Sequence, residues 1–181
     1  MSSSIQAYHF IKVSTVSTAN VNANANVHTT NIQVPIKYLF RFDGGCDTNP
    51  GLGGSGCAIY RLYNTKPMKK LKGLGKFHPS TTNNEAEYHG LLLGLEYMKK
   101  KQITNFLIEG DSMLVVNHLK KVWKCKAENL LPLYQRSLDL IDEAQNVGIR
   151  HIYRDKNEDA DALSRQVRPI QQDISVGYTS S

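Results

Sequence analysis

Three strand-patterned runs in a row, followed by helix and strand in alternation, leave a chain few folds to adopt. Lys37 to Phe42 sets Tyr38, Phe40 and Phe42 on one face by simple alternation, and Gly56 to Tyr63 carries Ile59, Tyr60, Leu62 and Tyr63. Between them Asp47-Thr48-Asn49-Pro50-Gly51 is turn chemistry, so the two runs pair as a hairpin. Lys69 to Phe77, beyond a turn at residues 64–67, is a third strand. The apolar spacing then becomes helical: Tyr88, Leu91, Leu92, Leu95 and Met98 stripe a helix from about Asn84 to Lys101, capped by Asn83 or Asn84. A strand at Asn105–Ile108, a short helix at Ser112–Leu119, a longer one at Leu131–Gln145 and a strand at Gly148–Tyr153 follow. A last helix runs from an Asn157 cap to about Arg165. This order predicts an α/β fold: a mixed five-stranded sheet, three antiparallel strands and then parallel ones, flanked by helices.

The flanks lose this periodicity. Residues 1–34, rich in Ser, Thr, Asn and Ala, are expected to form a disordered polar tail, residues 35–166 the folded domain and residues 167–181 a second polar tail. No acid precedes Asp43, as in targeting peptides, but the first tail holds Lys12 and no arginine, so it reads as a plain tail. Cys46, Cys57 and Cys125 form no CxxC pair, which argues against a disulfide framework or a zinc knuckle. No apolar run approaches the roughly 18 residues of a membrane span. A soluble, intracellular monomer is expected, in cytoplasm or nucleus ahead of an organelle, with no organic cofactor. Twenty-two Lys and Arg against 16 Asp and Glu give a net charge of +6. A polyanion is then a candidate partner, and a merely solvated basic surface is the alternative.

Four acids stand at ends of elements. Asp43 closes the first strand ahead of Gly44 and Gly45, which let a ligand or another backbone approach closely. Alternation puts it on the side of Leu39 and Arg41, so pattern alone does not bury it. Glu87 shares a helical face with Leu91, Gly94, Leu95 and Met98, whereas Glu85 aligns with His89 and Glu96, although Leu92 also lies near it. Glu87 therefore points toward the sheet, where a carboxylate costs several kcal/mol unless it is paired or bound to metal. Asp111 lies at the carboxyl end of a strand, where ligands of open sheets gather, and equally where an N-cap is wanted. Asp161, at the start of the last helix, suits the helix dipole as well as a cation. Taken together, oxygen donors of this kind suit Mg²⁺.

At these residues the chain resembles the type 1 ribonuclease H family, in its short forms that lack a basic handle. The blocks are Phe42-Asp43-Gly44-Gly45-Cys46-Asp47-Thr48-Asn49-Pro50-Gly51, Thr81-Thr82-Asn83-Asn84-Glu85-Ala86-Glu87-Tyr88, Gly110-Asp111-Ser112, and Arg154 to Leu163 containing Asn157-Glu158-Asp159-Ala160-Asp161. They occur in family order. The resemblance implies hydrolysis of the RNA strand of RNA/DNA hybrids, with Asp43, Glu87, Asp111 and Asp161 holding two Mg²⁺ ions, or Mn²⁺ in their place. It further implies that Cys46, Asn49, Asn83 and Asn84 line the hybrid's minor groove beside the 2′-hydroxyls, with Thr82 on a phosphate of the DNA strand. Ser112 and Arg154 are placed among the substrate contacts.

Two departures qualify the match. The segment before Asp161 is short and has no histidine; Arg154 stands there, either near the metals or paired with Asp155 or Glu158. The handle is absent too, although Lys120, Lys121, Lys124 and Lys126 surround Trp123, which reads either as a phosphate-binding cluster or as a solvated helix end with Trp123 in the core. His151 reads as structural. The alternative function is a catalytically inactive module of the same fold that binds hybrids or double-stranded RNA, against which the four acids argue.

Overall fold

A computed structural model describes residues 8–13, 35–64 and 66–178. The strands are β1 (His9–Val13), β2 (Tyr38–Cys46), β3 (Gly51–Tyr63), β4 (Lys66–Thr81), β5 (Asn105–Gly110), β6 (Asn146–His151) and β7 (Ile174–Gly177). The helices are α1 (Asn83–Lys100), α2 (Met113–Leu119), α3 (Leu131–Asp142) and α4 (Glu158–Ile170), the last preceded by a short 3₁₀ turn at Arg154–Lys156. One sheet has the order β1-β6-β5-β2-β3-β4-β7. β2, β3 and β4 are antiparallel, and β5 and β6 extend the sheet from β2 in parallel, as expected.

The sheet has seven strands among the described residues instead of five. β1 pairs antiparallel with β6, and β7 antiparallel with β4. Both expected domain boundaries therefore move outward. His9–Val13 is a short β-prone run inside a polar segment, and its neighbours Tyr8 and Phe10 join a core cluster. At the other end Val167 is fully buried against β3 and β4, which carries α4 past Arg165 to Ile170. The rest of the two expected tails lies outside the described residues.

Local chemistry explains two further corrections. Helix α1 is capped by Thr82, not Asn83 or Asn84. Thr82 Oγ1 accepts from Glu85 N at 3.3 Å, and the Glu85 carboxylate accepts from Thr82 N at 2.8 Å, a reciprocal capping box. Asn157 precedes α4 but its side chain makes no cap; it turns inward toward the sheet. Around these points α3 stops at Asp142 and β6 starts at Asn146, a few residues from the expected limits.

Two interiors flank the sheet. On one face α1, α2 and α3 cover Phe40, Phe42, Ile59, Phe106 and Ile108. On the other, Leu39, Ala58, Tyr60 and Leu107 pack with Leu163 of α4. The side of β2 that carries Leu39, Arg41 and Asp43 is thus covered. Glu109, 1% exposed, lies on the same side. Arg41 Nε donates to its Oε2 at 2.8 Å, while Arg150 and Tyr8 donate to Oε1. Burial acts to raise the Glu109 pKa, but the bonds from Tyr8, Arg41 and Arg150 outweigh it and hold the carboxylate below its usual range.

At one end of the sheet the helices come unusually close. A Cβ on Gly90 of α1 would strike the Asp43 carbonyl, and one on Gly44 would strike the backbone of Ala86 and Glu87. Across the sheet, a Cβ on Gly54 or Gly56 would strike the backbone of α4 at Ser164 and Ala160. Gly→Ala inside an exposed helix gains about 1 kcal/mol of helix propensity. Gly90→Ala is expected to reverse that sign and destabilise by about 1–3 kcal/mol, since backbone must move to admit the methyl. Urea unfolding of the variant against the parent chain measures it.

Candidate active site

The close-packed end gathers the acids. Asp43, 6% exposed, lies in β2 one residue past its pairing with β5; Asp111 follows the carboxyl end of that neighbouring parallel strand; Glu87 enters from α1. One oxygen from each of these three lies within 4.8 Å of the others. Helical phase separates the two acids of α1 as expected: Glu85 is spent in the capping box, and Glu87 faces inward. Asp111 is not a cap. Ser112 takes that role, its Oγ accepting from Val115 N at 3.4 Å, while Asp111 Oδ1 accepts from Asn157 Nδ2 at 2.7 Å.

Asp161 does not join the three. Its Oδ1 lies 2.9 Å from Arg154 Nη2 and its Oδ2 3.1 Å from Arg165 Nε. A fourth carboxylate is repelled by the other three, and the two guanidiniums hold it instead. It stands near enough that its charge contributes to raising the Asp43 pKa. Arg154 thus pairs with neither Asp155 nor Glu158.

Electrostatics make the trio costly as bare anions. At an effective dielectric near 20, two unit charges at such separations repel by about 3–4 kcal/mol. Burial, with the Asp43 and Asp111 charges adding to it, drives the Glu87 pKa well above its ordinary value. Burial also raises Asp43, opposed by a hydrogen bond from Ser164 and reinforced by Asp111 and Asp161. Glu87 Oε2 is buried with no hydrogen-bond partner. An oxygen-only donor set with an orphaned carboxylate oxygen fits a hard divalent cation, which would satisfy that atom and offset the repulsion.

Beside the trio lies an open groove of about 650 Å³, whose lining includes Gly44, Gly45, Cys46, Asn83 and Glu87. Cys46 N donates to Asn83 Oδ1 and Asn83 N to Asn49 Oδ1, both at 3.0 Å, so three of the expected groove residues form one network. Asn84 is exposed next to it, and Thr82 is occupied as the cap. Arg154 also lines it, together with Arg165 and Arg168, which motif reading overlooked. Their signal was helical spacing: residues 161, 165 and 168 share the face of α4 opposite buried Leu163 and Val167. Arg168 also pairs with Asp47 at 2.7 Å. Further off, Trp123 is 47% exposed, so it is not core, and it stands with exposed Lys121, Lys124 and Lys126 in the segment after α2. The His151 ring nitrogen lies 3.1 Å from the Asp111 carbonyl oxygen, a bracing contact.

Comparison with known proteins agrees with this geometry. Residues 41–167 match the family model described as reverse transcriptase-like. A bifunctional protein of Mycobacterium tuberculosis is 32% identical over 130 residues, covering 71% of this chain but 35% of that protein, so the chain spans about a third of its length. The solved N-terminal RNase H domain of that protein aligns with a TM-score of 0.67 at 29% identity, covering 75% of this chain and 96% of the other. A ribonuclease H of Ruthia magnifica subsp. Calyptogena magnifica is 34% identical, covering 71% of this chain and 92% of the relative. LC11-RNase H1, solved in complex with an RNA/DNA hybrid, aligns with a TM-score of 0.66 at 26% identity over 75% of this chain and 99% of its own. Among the described residues no helix is long and apolar enough to cross a membrane.

The raised carboxyl pKa values have a direct consequence. A carboxyl that holds its proton more tightly when folded stabilises the fold at low pH, and that contribution is lost as pH rises through its folded-state pKa. In a chelator, Glu87→Gln is therefore expected to melt about 2–4 °C higher than the parent chain near neutral pH. The difference should shrink below the ordinary glutamate value of 4.5. Calorimetry at several pH values checks this, and added Mn²⁺ should stabilise the parent chain much more than the variant.

Proposed function

The chain belongs to the reverse-transcriptase-like ribonuclease H family, and on that premise we propose that it is an endonuclease hydrolysing the RNA strand of RNA/DNA hybrids. The observation that carries this reading is the convergence of Asp43, Glu87 and Asp111, with one buried oxygen of Glu87 unpartnered, beside a groove whose lining includes three arginines. The hybrid bound by LC11-RNase H1 supports the substrate class.

Asp43, Glu87 and Asp111 would hold two divalent ions, Mg²⁺ or Mn²⁺, with Asp161 as the fourth carboxylate once released from Arg154 and Arg165. When bound, such a pair supplies an activated water and charge stabilisation for the leaving oxygen of an in-line displacement at phosphorus. The chain's own residues do the rest. The network of Cys46, Asn49 and Asn83, with Asn84 beside it, offers amide donors and acceptors to 2′-hydroxyls, the groups that distinguish RNA from DNA. Arg154, Arg165 and Arg168 supply positive charge to the same groove, where a phosphate backbone needs it. The products are a 5′-phosphate and a 3′-hydroxyl. An inactive binding module is the competing reading, and clustered acids facing phosphates would weaken such a module's binding.

Incubation with labelled hybrid, double-stranded RNA and double-stranded DNA in Mg²⁺ or Mn²⁺ tests the proposal. Cleavage of the hybrid's RNA strand alone is expected, with Asp43→Asn slowing it by about three orders of magnitude, ~4 kcal/mol of transition-state stabilisation. RNA left intact with both metals refutes it. The exposed basic segment around Trp123 is expected to bind phosphates of the hybrid. Replacing Lys120, Lys121, Lys124 and Lys126 with Gln should flatten the log–log salt dependence of hybrid affinity by up to about 0.9 for each phosphate that a lysine had neutralised.

A further inference from the structure

Helix α4 and the residue before it place two polar side chains in the interior. Ser164 is 1% exposed and Asn157 is fully buried. A serine inside a helix ordinarily bonds back to its own preceding turn, and Ser164 Oγ does lie 2.9 Å from the Asp161 carbonyl. It lies closer, 2.5 Å, to Asp43 Oδ2. A hydroxyl has one proton, and an ionised acceptor at shorter range attracts it more strongly than a carbonyl. Asn157 has two amide protons and spends both at the site: Nδ2 donates to the Phe42 carbonyl at 2.8 Å and to Asp111 Oδ1 at 2.7 Å. Its own Oδ1 is buried and unpartnered. Leaving a buried carbonyl unsatisfied costs about 1–3 kcal/mol, a cost this side chain bears at the active site instead of capping α4.

These contacts depend on close packing. Gly54 and Gly56 have no Cβ where the backbone of α4 crosses β3 at Ser164 and Ala160. A side chain at either position would push α4 outward and carry the Ser164 hydroxyl away from Asp43. Asn157, for its part, ties Phe42 of β2, the residue before Asp43 and the last to pair with β5, to the carboxylate that follows β5.

We propose that Ser164 and Asn157 are positioning residues: without touching the cations or the substrate, they lock the side-chain orientations of Asp43 and Asp111 so that both offer oxygens to the same ions. The proposal rests on the metal-dependent reading of the preceding subsection. Manganese binding measured by calorimetry on the full chain tests it separately from catalysis. Ser164→Ala and Asn157→Ala are each expected to weaken Mn²⁺ binding about 10–100-fold. Each should lower kcat on hybrid to a similar degree, with KM changed by no more than about twofold. Ser164→Thr, which keeps the hydroxyl, should recover most of the loss. In an Asp43→Asn background, Ser164→Ala should cost no further Mn²⁺ affinity, because its effect passes through Asp43. A folded Ser164→Ala chain that binds Mn²⁺ and turns over like the parent overturns the proposal. So does an undiminished affinity loss in the Asp43→Asn background, which marks a purely structural role. If the parent chain binds Mn²⁺ but cuts no hybrid, the nuclease reading fails while the binding isotherms still decide the positioning role.

Discussion

The catalytic end exists because two helices reach one strand end from opposite faces of the same sheet. Side chains normally hold a helix away from a sheet by the thickness of the core between them. Where α1 crosses β2 and α4 crosses β3, that layer thins to backbone on backbone, at Gly44 and Gly90 on one side and at Gly54 and Gly56 on the other. Glu87 can then enter from one face while Ser164 and Asn157 brace from the other. Dense interiors transmit displacement, so an added methyl at this waist is felt by the carboxylates directly.

The same sheet carries two acidic interiors that physics treats in opposite ways. Glu109 has two guanidiniums and a phenol around it, and its pKa lies below the ordinary value. Glu87 has two neighbouring carboxylates and an oxygen without a partner, and its pKa lies well above. Both are glutamates with little exposure to water at the carboxylate. The first is internally complete and serves the fold, linking β1, β2, β5 and β6. The second is incomplete within the protein and is left for a ligand to finish, which is how perturbed groups mark a site.

How far the sequence carries differs from residue to residue. Helical phase favoured Glu87 over Glu85 because apolar residues spaced from Tyr88 to Met98 mark an inward face that Glu87 shares. Strand pairing followed from turn chemistry, which acts over a few residues, and Asp111 from its place at the carboxyl end of a strand; alternation put Asp43 beside Leu39 and Arg41, and its burial there comes from α4 covering that side. The Thr82 cap is local, a Thr-x-x-Glu pattern with Glu85 three residues on, which the neighbouring asparagines obscured. Asn157 instead depends on distant partners: it gives up its cap for Phe42 and Asp111, more than forty positions away along the chain in each case. β1 is too short to stand out from its polar surroundings, and its position is set by pairing with β6. The turn of Asp161 toward Arg154 and Arg165 is an electrostatic balance that no motif encodes.

β1 and β7 lie at the two margins of the sheet, and with them every strand from β2 to β6 has a neighbour on both sides. A strand margin with free amides and carbonyls is a template on which another molecule can add. Trimmed to the five-strand plan, the domain would present β6 and β4 bare, and β6 would also lose Tyr8 from over Arg150. The short flanking strands therefore leave only brief margins of their own, five residues in β1 and four in β7, where β4 alone would offer sixteen.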